Sequence, residues 1–191
     1  MFAKLKQRWM DTRTIMALSL DAERRALQEG QRHPGAEHYT LAALDLPDGS
    51  ARRVFERVGA NPEDYRAALA NRHTEALNAM GLDYRAAAAG KHYDYAAPVA
   101  GPTSAEARQT DTLQAAAPSV LFDAQPSGRA LMQSLPELQR RLPAPLCGAH
   151  VLLATATMAH SAAGRAFSAI GIDLQALGRA AEAELRAAKL S

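Results

Sequence analysis

The sequence predicts an all-α fold, with two pseudo-symmetric repeats of about four helices each packed into one globule. Three observations carry that expectation. Alanine supplies 43 of the 191 residues and leucine 23, while valine and isoleucine together supply 8; Ala and Leu favour helices and β-branched residues favour strands. Apolar residues recur at helical spacing between start and stop signals. A long block of the chain also repeats in register at an offset of 112 residues.

The composition excludes several classes. A parallel α/β enzyme of the Rossmann or P-loop type needs Val- and Ile-rich buried strands, which this chain lacks. Aromatic residues are 5 % of the total, so aliphatic side chains and close helix contacts must build the core. With 22 basic against 20 acidic residues, the net charge of +2 implies no nucleic-acid partner. The 18 Arg against 4 Lys read as codon bias. Cys147 stands alone, which excludes an intramolecular disulfide and fits a reducing cytosol. No apolar run is long enough to span a membrane, and the first residues lack a signal-peptide pattern, so a cytoplasmic protein is expected.

The elements follow in order. Residues 12–29 carry Ile15, Leu18, Ala22, Ala26 and Leu27 at helical spacing, with Gly30 as the stop. Residues 36–46 form a second helix closed by Pro47, and residues 50–58 a short third closed by Gly59 in a left-handed C′ position. Asn61-Pro62-Glu63-Asp64 reads as an N-cap, a proline at N1 and acids in the first turn of a helix running to about Met80. Residues 90–118 are rich in Pro, Gly, Ser and Ala and read as a long connection, with a short Ala-rich helix before it at 82–89. In the second half, Ser134-Leu135-Pro136-Glu137 reads as a capping box that splits or kinks the helix there. Asp173 to Lys189 closes the chain as a solvated helix, its Glu182 and Glu184 set against Arg179 and Arg186.

The offset of 112 pairs His38 with His150, Phe55 with Phe167, Gly59 with Gly171 and Asn61 with Asp173. The matched residues are core anchors and caps. The expected organisation is one domain over residues 1–191: repeat 1 at 10–80, a linker at 81–119 and repeat 2 at 120–189. Each unit is too small to close its own core, and two copies are too few for a solenoid.

Gly35-Ala36-Glu37-His38-Tyr39-Thr40-Leu41 and its partner Gly148-Ala149-His150-Val151-Leu152-Leu153 each begin an apolar helix. Each is followed by a short helix ending in Gly and by a capped final helix. With Leu121-Phe122-Asp123-Ala124 as an entry to the second unit, this order resembles the N-terminal domain of the Clp unfoldases of the ClpA/ClpC type, over about residues 10–79 and 120–188. The resemblance implies an all-α recognition domain that receives polypeptide substrates or adaptors of a Clp protease. It also implies a stand-alone module that acts as accessory, competitor or buffer of a Clp unfoldase. No cofactor is expected. An alternative is a protein that binds or sequesters a cyclic-peptide antibiotic. No motor is encoded here. Gly90-Lys91 has Arg85 where a P-loop needs its first glycine and His92 where it needs Ser or Thr.

In that family a Glu at the position of Glu37 receives the guanidinium of phosphoarginine, and the phosphate meets a helix start. Glu37 matches, and Thr12 is placed to supply the helix start. Ala149 replaces the second Glu, so weak binding at one site is expected. Asp11 and Asp123 lie near the two helix starts, where they would repel a phosphate. The plainer alternative is that Glu37 only stabilises the first turn of its helix. Phe2, Leu5 and Trp9 share a face of the first ten residues, with Lys4, Lys6 and Arg8 nearby; folding back on the domain, Phe2 and Trp9 would line a ligand pocket. A basic membrane-surface or partner helix is the other reading. His38 and His150 read as structural histidines, since no set of zinc ligands accompanies them. Cys147, one helical turn before His150, reads as a buried small hydrophobe rather than a nucleophile.

Overall fold

A computed structural model describes residues 2–79, 123–142 and 144–188, with the backbone alone for 2–8 and 72–79. The described residues form helices without strands. In chain order these are α1 (Phe2–Gln28), α2 (Ala36–Leu44), α3 (Ser50–Arg57), α4 (Pro62–Ala79), α5 (Pro126–Arg141), α6 (Gly148–Ala156), α7 (Ala162–Ala169) and α8 (Leu174–Ala188). The expected linker at 81–119 and the helix at 82–89 lie outside the described residues. No described helix is long and apolar enough to cross a membrane.

The two most apolar helices sit at the centre. Every residue of α2 is buried, as is every residue of α6 except Ala156. A helix apolar all round belongs inside a core. The hydroxyls of Thr40 and Thr155 lie 3.0 Å apart where these helices meet. Around this pair the halves interlock: α3 packs on α8, α4 packs on α7, and α6 touches both α3 and α8. Phe55, Tyr65 and Phe167 meet where α3, α4 and α7 converge. Ring centroids are 5.4 Å apart for Phe55 and Phe167, 5.8 Å for Phe55 and Tyr65, and 4.4 Å for Tyr65 and Phe167. One hydrophobic core spans both halves.

The bounds of four helices are related by the offset of 112 residues. α2 and α6 cover nine residues each and α3 and α7 eight each, all displaced by the same offset. Gly59 and Gly171 end α3 and α7 at φ 67° and 76°, a left-handed region that glycine enters without a Cβ clash. Asn61 Oδ1 accepts from the Glu63 N–H at 2.9 Å, and the Asp173 carboxylate accepts from the Gln175 and Ala176 N–H groups.

Three expectations need correction. The first helix starts at Phe2, not at residue 12, and runs for 27 residues, about 40 Å at 1.5 Å per residue. Its second half buries Leu18, Ala22 and Ala26 against α2, while Asp11 in its first half accepts from the Leu146 N–H at 2.8 Å and from Gln139. Of the two readings at Pro136, split or kinked, the split is excluded, because α5 continues through it. The Ser134 hydroxyl donates to the Leu131 carbonyl instead of capping a new start, and Leu135 and Leu138 stay buried on either side. Glu184 is not solvated. It is buried at the α3–α8 contact, where Arg53 Nε donates to it at 2.5 Å and Arg57 Nη2 at 3.1 Å. The Glu182–Arg186 pair does form on the surface of α8.

Candidate functional site

The turn Pro34-Gly35 delivers the chain into α2, and the start of α5 holds that turn in place. The Gln125 N–H donates to the Pro34 carbonyl at 3.0 Å, its side-chain amide donates to Gln31 and to the His33 carbonyl, and the Ala36 N–H donates to Ser127 Oγ at 3.2 Å. Gly128 makes the approach possible. A Cβ there would lie 2.5 Å from the Pro34 carbonyl oxygen and 2.9 Å from the Tyr39 ring.

Glu37 is the second residue of α2, where the helix dipole favours an anion. Its carboxylate folds back over Gly35, so close that a Cβ on residue 35 would lie 2.5 Å from one oxygen and 2.6 Å from the other. The residue is only 8 % exposed. Oε1 lies 3.6 Å from His38 Nδ1, but that nitrogen accepts from the Gly35 N–H at 2.9 Å. The neutral ring therefore carries its proton on Nε2, which faces Glu29 at 3.2 Å. His38 is the structural histidine expected. Glu37 Oε2 is buried with no hydrogen-bond donor among the described residues.

A second orphan stands nearby. The Tyr65 hydroxyl is buried and makes no hydrogen bond among the described residues. Burial pushes its ionisation well above the ordinary tyrosine range; the Thr40 hydroxyl acts in the opposite sense, and the charge of Glu37 adds to the rise. Glu37, Thr40 and Tyr65 thus form one polar neighbourhood inside an apolar core. An unpaired buried acceptor is costly and invites a donor from water or a ligand.

The equivalent place on α6 is different. Ala149 is fully buried and its N–H donates to Ser50 Oγ at 2.9 Å. A Cβ on Gly148 would lie 2.8 Å from Ala51 Cβ and 2.9 Å from the Ala43 carbonyl, so α3 packs this helix start shut. Cys147 and His150 lie beside it, with Sγ 3.3 Å from Nδ1, while His150 Nε2 donates to the Leu142 carbonyl. Burial pushes the Cys147 thiol up and the His150 imidazole down, so both favour their neutral forms. The thiol then donates to the ring, and the pair rests as neutral thiol and imidazole rather than as the thiolate–imidazolium of an activated cysteine.

The remaining expected residues do not gather at Glu37. Thr12 lies inside α1, so its amide belongs to a continuous helix and supplies no free helix start. Trp9 is 63 % exposed with the Arg13 guanidinium 5.8 Å from its ring centroid, and does not fold back on the domain. It lies roughly 28 Å along α1 from the end that meets His38. Phe2 belongs to the same helix, and its side chain lies outside the description. Asp123 is 3.4 Å from Arg129 and 3.6 Å from His33. Tyr65 has no local signal of its role in the sequence; only tertiary packing brings it to Glu37. Among the described residues no three His, Cys, Asp or Glu side chains are grouped to hold a metal ion. No family model, no curated protein and no solved structure matches the chain.

Proposed function

We propose that this chain is a non-catalytic binding module for polypeptides, a counterpart of the substrate- and adaptor-recognition domain of the Clp unfoldases working in the cytoplasm. The paired bounds of α2 and α6 and of α3 and α7, with the crossed packing of α3 on α8 and α4 on α7, support a duplicated unit of that kind. The observation that carries the binding reading is Glu37 Oε2, an acceptor at a helix start with no donor among the described residues. A guanidinium from a bound chain supplies what is missing, because it offers N–H donors and a positive charge to one carboxylate. Among the described residues the second half has no such acceptor, with Ala149 at the matching position, so binding is one-sided.

The reading predicts that the immobilised protein retains Clp unfoldase subunits or their clients from a cell lysate. Retention should be lost in Glu37→Gln. An eluate matching that of an unrelated helical protein contradicts the reading.

A further inference from the structure

The outer face of α1 carries a second, separate feature. Trp9, Met16, Leu20 and Leu27 are 63 %, 48 %, 55 % and 62 % exposed. With Arg13 and Glu23, both exposed, they form one line along the helix at alternating steps of four and three residues. That spacing is the a/d seam of a coiled coil; Glu23 stands at its edge, near enough for its charge to act on Tyr39 of α2, and the apolar seam residues lie apart from the Leu18, Ala22 and Ala26 face that packs on α2.

The seam is self-complementary. Its six positions are symmetric about residue 18. Turning a second α1 antiparallel places Trp9 opposite Leu27, Met16 opposite Leu20, and Arg13 opposite Glu23, twice each. Every such pair joins a d position to an a position, as antiparallel helices require. Arg13 and Glu23 make no ion pair within the chain among the described residues; Arg13 only stacks on Trp9. An anionic lipid surface would gain nothing from Glu23 in the middle of the seam, whereas a second copy uses both charges.

We propose that α1 is a homodimerisation surface, pairing two copies of this chain antiparallel about a two-fold axis beside residue 18. The seam from Trp9 to Leu27 is about 27 Å long. A single helix pair of that length falls at the small end of specific interfaces, so the dimer forms in proportion to concentration. The charge pairs fix the orientation, because a parallel arrangement would set Arg13 against Arg13 and Glu23 against Glu23.

Sedimentation velocity on the full chain tests this over concentrations up to hundreds of micromolar. The expected result is a monomer–dimer equilibrium. Arg13→Glu or Glu23→Arg alone places like charges opposite each other twice and should weaken the dimer at least tenfold. An equimolar mixture of the two variants should restore it, because each then meets an opposite charge on its partner. Both positions are exposed, so unchanged helical circular dichroism will show that folding is intact. A chain that stays monomeric throughout, a dimer indifferent to both reversals, or a mixture that fails to reassociate would each overturn the proposal and leave this face to another occupant.

Discussion

Replacing Tyr65 with phenylalanine removes one oxygen atom and should stabilise the protein. The side chain is fully buried, and its ring contacts Phe55 and Phe167 without help from the hydroxyl. That hydroxyl makes no hydrogen bond among the described residues, where it has given up its hydrogen bonds to water without replacement. An uncompensated buried polar group costs roughly 1–3 kcal/mol. Phenylalanine keeps the ring and drops the penalty, so a gain of about 1 kcal/mol or more is expected. For a chain of this size each kcal/mol moves Tm by about 2–4 °C. Thermal melts followed by circular dichroism will show the shift. Urea titrations should show a higher midpoint at an unchanged slope. Tyr65→Ala is the control, and should lose about 3–5 kcal/mol because the whole ring is removed from the core. A loss of 1 kcal/mol or more in Tyr65→Phe would refute the reasoning. The hydroxyl would then be paired in solution, with Thr40 as the nearest partner, and the polar neighbourhood around Glu37 would have no second orphan.

Other outcomes follow from the same packing. Gly128→Ala should cost about 1–3 kcal/mol of stability, read as a lower urea midpoint, since the new Cβ meets the Pro34 carbonyl and forces α5 away from α2; an unchanged midpoint contradicts this contact. Burial alone would raise the Glu184 carboxyl, yet Arg53 and Arg57 outweigh it and hold the group below its ordinary range. Its folded value lies below its unfolded one, so its contribution is present above about pH 4.3 and lost as pH falls through the folded value. Glu184→Gln should therefore lose stability at neutral pH and flatten the acid limb of the stability curve. Identical acid limbs in the two proteins contradict the ion pairs. Cys147 should react slowly with iodoacetamide in the native protein and fast in urea, because burial disfavours its thiolate. Native reactivity equal to that of a free thiol contradicts the neutral Cys147–His150 pair.

Local signals marked the elements well. Gly59 and Gly171 set stops, Asn61 and Asp173 set starts, and each acts through backbone within three residues, so sequence alone reveals it. The end of α3 and the start of α4 follow for the same reason. Pro136 misled because a proline removes one donor without forbidding a helix, and the buried Leu135 and Leu138 hold α5 together around it. Glu184 reads as a surface residue from its i,i+4 neighbours; its true partners, Arg53 and Arg57, lie more than 120 residues away in the chain. Glu37 is a candidate through the resemblance; its place at the start of α2 by itself implies only a carboxylate that stabilises the first turn. Its lack of a donor is not legible in the sequence, since that depends on Gly35 yielding space and on His38 Nδ1 already being engaged. Trp9 and Thr12 separated from Glu37 because α1 is one unbroken helix that carries them far from its other end.

The account rests on Glu37 being a single, ligand-receiving acceptor. Isothermal titration of the full chain with a short peptide bearing phosphoarginine measures this directly. The account predicts weak binding with a stoichiometry near one, abolished in Glu37→Gln while the thermal melt is preserved. Two equivalent sites, or binding heat unchanged in Glu37→Gln, would contradict it.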